Sequence, residues 1–292
     1  MKKILLSVLA LLAFAGSGTA QNLPSYLPAN GLVGWWPFNG NANDESGNNN
    51  NGTVNGATLM ADRFGNVASA FSFNGINNNI EITANATLNI SNVTLSAWYN
   101  SESYTDGGVN GQRIVVSKRE ASGWGNAYQM GLALTSDNAV LSDWTINGQN
   151  GGMVFFSNSL TINTWYHLVY THSNDSAKLF VNGKKVVSTG VAGGLSFNNL
   201  PLRFGQRPNG WHPFLGSLDD IAIWNRALTQ QEISALYNAT NCANDLSITP
   251  LPSQNTGSNA TLNATSTDPN PVYRWQSDLG LGFQDLSNYG QY

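Results

Sequence analysis

The sequence predicts an all-β sandwich of two antiparallel sheets with one short C-terminal helix. Three observations predict it. Short segments of alternating polar and apolar residues recur from Leu32 onward. Clusters of Gly, Asn, Asp and Ser separate them, as expected between the strands of a sandwich. Charged residues make up 10% of the chain, well below the usual share of about a quarter. The 41% apolar content and nine Trp exclude a disordered chain. With 292 residues there is room for one large β domain and a smaller piece.

Met1 to Ala20 has the pattern of a secretory signal. Lys2 and Lys3 form a positive start, Ile4 to Ala15 an apolar run, and Gly18-Thr19-Ala20 a small-residue cleavage site before Gln21. The apolar run is too short for a membrane span, and Gln21 in place of cysteine argues against a lipid anchor. Loss of both lysines takes the formal charge from −4 to −6. A mildly acidic exported protein is expected to bind neither nucleic acid nor anionic membrane. The expected location is the cell exterior or cell surface, without membrane insertion. Cys242 is the single cysteine, so no internal disulfide can form and the fold must rest on its core.

Residues 21–30, with Pro24 and Pro28, form a lead-in. Strands are expected at AFSFNG from Ala70, NIEIT from Asn79, VTLSAWYN from Val93, RIVVSK from Arg113 and AYQMGLAL from Ala127. Asn182-Gly183, between KLFV and KKVV, predicts a type I′ hairpin, because both residues accept positive φ. In Gly216 to Asn238 a strand runs into a helix. Simple alternation puts Asp219 on one face with Ile221 and Ile223, toward the core. Thr229 and Glu232 have capping-box spacing, and Leu228 and Ile233 the spacing of a hydrophobic staple.

GLVGWWPFNGNANDESGNNNNGTVNGATL from Gly31, DRFGNVASAFSFNG from Asp62, TWYHLVYTHSNDSAKLFVNGKKV from Thr164 and GSLDDIAIWNRALTQQEISALYN from Gly216 stand in this order along the chain. Together they resemble the laminin-G-like jelly roll, a branch of the concanavalin A-like lectin and glucanase superfamily, in secreted bacterial surface proteins. The resemblance covers residues 31–241 and implies a concanavalin A-like jelly roll. Beyond it, residues 242–292 resemble the opening strands of an immunoglobulin-like module, with Trp275 at the position of the buried indole. Such a module needs about 100 residues, so an incomplete one is expected here.

Four kinds of site come from these residues. The loop NANDESGNNNN, Asn41 to Asn51, is rich in oxygen donors of the kind calcium takes. The resemblance implies a calcium ion between such loops. Asp44 and Asp219 are the first candidate ligands, with Ser46, Asn49 and Asp220 after them. The alternatives are turn hydrogen bonds for Asp44, and backbone N–H groups or an arginine such as Arg63 for Asp219. Zinc is excluded by spacing: His167 and His172 fall on opposite faces of one strand, and His167 is expected as a hydrogen-bonded core or seam residue.

Aromatic side chains on Gly- and Pro-flanked loops suit stacking against a sugar face. Trp124, Trp211 and Tyr104 are these candidates; the alternative is that the two indoles fold back as lids. Trp98, Trp165 and Trp224 lie in strand patterns and are expected in the core. Glycan hydrolysis needs paired carboxylates, yet Glu45, Glu81, Glu102, Glu120 and Glu232 lie in separate segments. With the resemblance, which implies glycan and protein binders, the expectation is a non-catalytic, calcium-stabilised extracellular recognition or adhesion module for a glycan or cell-surface partner. A hydrolase with unrecognised acids and a ligand-free spacer are the alternatives.

Overall fold

The computed structural model describes residues 23–105, 112–119, 129–133, 139–146, 149–157 and 160–239, together with the strand pairs Ser247–Ile248 with Ala264–Thr265 and Gln276–Asp278 with Phe283–Asp285. The leader, Trp124, Cys242, Trp275 and most of the expected immunoglobulin-like part lie outside these residues.

In chain order the strands are β1 (Leu32–Trp36), β2 (Gly52–Asn55), β3 (Thr58–Met60), β4 (Ala70–Asn74), β5 (Asn79–Ile82) and β6 (Val93–Ser101). There follow β7 (Gln112–Ser117), β8 (Gln129–Ala133), β9 (Val140–Ile146), β10 (Gln149–Phe156) and β11 (Trp165–His172). Last come β12 (Ser176–Val181), β13 (Lys184–Gly190), β14 (Leu202–Phe204), β15 (Leu215–Trp224) and the helix α1 (Gln230–Asn238). The first sheet runs β13-β12-β11-β6-β15-β4-β3, with β1 also on β15; the second runs β10-β9-β8-β7-β14-β5-β2. Every ladder between these strands is antiparallel.

Alternation builds the core. Inward-facing Leu95, Ala97 and Tyr99 of β6 meet Ile80, Ile82, Val116 and Phe204 from the second sheet in one buried cluster. Aromatic edges lock the middle: Trp36 meets Phe204 at 4.9 Å and Phe38 meets Phe71 at 5.0 Å between ring centroids, distances typical of favourable edge-to-face pairs. The Asn182-Gly183 turn has φ of 49° and 71°, the positive pair a type I′ hairpin requires.

A second cluster covers the outer face of the first sheet. Ile233 and Leu236 of α1 pack there on Trp35, Val169, Phe180 and Trp224. Thr229 caps the helix with Glu232 in a reciprocal capping box, and Leu228 and Ile233 are both buried in the same cluster. The lead-in belongs to this layer: Leu27 is buried in it, and the Trp224 indole donates to the Pro28 carbonyl at 2.7 Å.

One element departs from simple alternation. On β15, Asp219 pairs with Trp98 but Ala222 pairs with Ser96, so three residues of β15 oppose two of β6. This is a β-bulge, and Asp220 takes φ 45° within it. It lies where β15 exchanges one partner, β4 over Leu215–Leu218, for another, β1 from Ile221 onward. The extra residue inverts the parity. Leu218, not Asp219, joins Ile221 and Ile223 in the core. Asp219 instead shares the outer face with Trp98.

Candidate functional site

The residues expected to hold calcium do not converge. Asp44 Oδ1 accepts the backbone N–H groups of Trp35 and Ser46, each at 2.9 Å, and Oδ2 accepts that of Asn50 at 2.9 Å. Its loop is thereby fastened to β1, aided by Asn50, which donates to the Val33 carbonyl at 2.8 Å. Ser46 Oγ faces the same carbonyl and accepts from Asn48, and Asn49 sits in the left-handed region at φ 57°. Asp219 and Asp220 face Arg63 instead: Nη1 meets Asp219 at 2.6 Å and Nη2 meets Asp220 at 2.8 Å. A guanidinium stands where a joint site would need a cation. Among the described residues no group of three or more His, Cys, Asp or Glu side chains is placed to hold a metal. This donor set does not fit a shared calcium ion.

The Arg63 cluster continues along the outer face of the first sheet. The guanidinium lies 4.3 Å from the Trp98 ring centroid and 4.4 Å from that of Phe64. His167 stacks on Trp98 at 5.1 Å, and Tyr237 of α1 stacks on Trp98 at 5.7 Å. Burial first, and then the charge of Arg63, push the His167 pKa down to about 3. The ring is therefore neutral, and its Nε2 lies 2.9 Å from Ser96 Oγ. Burial first, then the charge of Asp220, hold the Asp219 carboxyl well above its ordinary range. Trp98 was expected in the core; it is half-buried in this outer layer. The cavity left among these side chains is about 10 Å³, roughly the size of one water probe. The cluster fastens α1 and the lead-in to the sheet, and no ligand fits inside it.

A wider cleft of about 570 Å³ opens beside the β12–β13 turn, between Phe156, Leu160, Tyr166, Val186 and Tyr237. Two of its polar groups are committed: Asn182 Oδ1 accepts the His167 N–H at 2.9 Å, and the Tyr166 hydroxyl meets Thr161 Oγ1 at 3.0 Å; Lys184 lines it too.

The outer face of the second sheet is different in kind. Leu202, Phe204, Ile80 and Ile82 turn inward, so Arg203 and Glu81 turn outward. Register carries the row across the sheet from Glu81 and Arg203 to Ser117 and, one strand beyond β8, to Asp143. Arg203 binds Glu81, with Nη2 at 2.6 Å from Oε2, and Arg119 pairs with Asp143. From the turn after β14, Arg207 donates Nη2 to Gln112 Oε1 at 2.9 Å, while Arg203 Nη1 donates to the Arg207 carbonyl at 3.3 Å. The tip of that turn carries Trp211, 60% exposed. Tyr104, expected on an exposed loop, is 4% exposed and donates its hydroxyl to the Thr161 carbonyl at 3.3 Å; its ring is not available to a ligand.

Glu81 and Asp143 lie four strand spacings apart, about 19 Å. Glycoside hydrolysis places its carboxyls within about 10 Å of each other, so this pair forms no hydrolytic dyad. The arginines of this face carry little signal in the sequence. Their signal was the recurrence of Arg at both ends of two short segments, Arg113 with Arg119 and Arg203 with Arg207, in a chain with few charges.

A laminin G family model, described as the concanavalin A-like lectin/glucanases superfamily, matches residues 73–234. The chain belongs to this superfamily. Its curated relatives include the adhesion G-protein coupled receptor V1 of Danio rerio, 26% identical over 156 residues, which are 51% of this chain and 2% of the receptor. Solved structures share the fold at low identity. The binding domain of Paraclostridial Mosquitocidal Protein 1 matches with a TM-score of 0.56 and 22% identity, over 74% of this chain and 53% of the other. Domain 4 of AbnA, a GH43 extracellular arabinanase from Geobacillus stearothermophilus solved in complex with arabinotriose, matches with a TM-score of 0.54 and 18% identity, over 71% of this chain and 98% of the other. The chain thus spans a small part of the receptor and about half of the toxin binding domain.

Proposed function

We propose that this superfamily domain is a non-catalytic recognition module of an exported protein, and that it holds a saccharide across the outer face of its second sheet. One observation carries the reading: polar side chains, Glu81, Arg203 and Asp143, lie along that face, and the turn after β14, whose Arg207 carbonyl accepts from Arg203, carries an exposed indole, Trp211. Planar guanidinium and carboxylate groups fixed by one another present ordered donors and acceptors to sugar hydroxyls. Trp211 supplies an apolar face for stacking. The row stands on strands rather than loops, which keeps its geometry rigid. Support comes from the solved relatives, which include an arabinotriose-bound domain and a toxin binding domain. The leader-like segment 1–20 fits export.

A glycan array with the intact chain tests the reading, followed by titration of the best ligand. Trp211→Ala is expected to weaken that ligand about tenfold, equivalent to about 1.4 kcal/mol. Being exposed, the substitution is expected to shift folding stability by no more than about 0.5 kcal/mol. Absence of any retained saccharide on a broad array would sink the proposal. So would a ligand whose affinity is indifferent to both Trp211→Ala and Arg203→Ala.

A further inference from the structure

Among the described residues the charges on this face do not balance. Arg203 has Glu81 and Arg119 has Asp143, but Arg207 has no carboxylate partner among the described residues. It is only 8% exposed. Among the described residues its one side-chain bond goes to the neutral amide of Gln112, and its Nε is buried with no hydrogen-bond partner. The Nε of Arg119 and Oδ1 of Asp143 are also buried without partners. Burial, and after it the charge of Arg119, lower the Arg207 pKa to about 10, so the group is still cationic at neutral pH. A buried cation without a counter-charge is costly. A guanidinium fork matches a carboxylate in a bidentate way that an ammonium does not. In a chain whose formal charge is −4, a surplus of positive charge among the described residues of this face suits an anionic group from outside.

We propose that Arg207 anchors a carboxylate, and that the saccharide held on this face is an acidic, uronate-bearing one. The inference rests on the saccharide reading above and deepens it. A sugar acid is favoured over an acidic peptide because Trp211, on the same turn as Arg207, offers a stacking face, and Gln112 supplies an amide beside the cation.

The test compares oligomers of galacturonate, glucuronate and mannuronate with their methyl esters, by calorimetry on the intact chain. Esterification removes the charge and leaves the sugar, so no variant is needed for the first comparison. At least one free acid is expected to bind about tenfold or more tightly than its ester, the scale of one charge-assisted pair. That preference is expected to shrink with added salt. Arg207→Gln is expected to abolish the preference, and Arg207→Lys, which keeps the charge but not the fork, to restore only part of it. Thermal melting of both variants separates lost recognition from lost folding. Equal binding of acid and ester would overturn the uronate assignment while leaving the saccharide reading intact, as would binding confined to neutral sugars. Binding of polyglutamate as tight as that of the uronates would overturn the choice of a sugar. Failure of every acidic and neutral saccharide to bind would overturn both.

Discussion

Replacing Arg63 by alanine is expected to destabilise the domain by about 3–5 kcal/mol at pH 7, the cost of leaving a buried carboxylate without its partner. Two carboxylates depend on this side chain, Asp219 at 2.6 Å and Asp220 at 2.8 Å. The Trp98 and Phe64 rings that face the guanidinium would lose their cation as well. Urea unfolding of the variant and the parent measures the difference. Its pH dependence gives the sharper check. Both aspartates have their pKa raised above the ordinary 3.8, by burial before any other cause. A carboxyl whose folded pKa is raised is most favourable to folding below its unfolded pKa, and that contribution is lost as pH rises through the folded pKa. Removing Arg63 deletes the influence that lowers both pKa values and widens the window. The deficit should therefore be greatest at neutral pH and should narrow as pH falls toward about 4. Glu232 behaves oppositely, since Arg226 holds its pKa down to about 2, but it is common to both proteins and cancels. A deficit that is flat with pH would mean that lost packing, not charge, sets the cost.

The complementary change is Asp220→Asn. One guanidinium faces two carboxylates, so removing the more exposed one relieves repulsion on Asp219. Asparagine is among the residues that best tolerate positive φ, which suits the 45° at this position. A gain in stability of about 1 kcal/mol at pH 7 is expected, within the range of single stabilising substitutions.

These two aspartates also mark where the sequence stops being legible. The Asn182-Gly183 hairpin and the Thr229–Glu232 box are local, because the residues that decide them touch each other, and both could be read directly. Asp219 could not. Its side is decided by a bulge, and the bulge follows from an exchange of strand partners whose residues lie far away in the chain. Period-two counting has no access to that exchange. The same holds on the second sheet. Glu81 was readable as an outward strand residue between Ile80 and Ile82, but its partner Arg203 is 122 positions away. Trp211 and Tyr104 share the same kind of polar, turn-rich flank. One is exposed and the other is buried against Thr161. Flanking composition reports a loop, while the neighbours that cover a loop come from elsewhere in the fold.

Asp44→Ala is expected to cost about 3–5 kcal/mol, because one small side chain serves three buried or part-buried backbone donors. Hydrogen bonds to a charged group contribute about 1.5–3 kcal/mol each, and the losses are not additive. Without the carboxylate, the N–H groups of Trp35, Ser46 and Asn50 lose their acceptor. Water can reach Ser46 more readily than Trp35, so the penalty falls mainly on the end that fastens the loop to β1. Asp44→Asn keeps one acceptor oxygen and turns an amide toward one of the donors, so its cost is expected to be intermediate. The same measurements address the metal. Two oxygens that already accept three N–H groups have little capacity left for a cation that requires six to eight ligands. Melting of the parent in calcium and in chelator is therefore expected to superimpose, while Asp44→Ala melts lower in both. If calcium instead raised the parent's midpoint and left that of Asp44→Ala unchanged, Asp44 would be a metal ligand and the loop would owe its order to the ion.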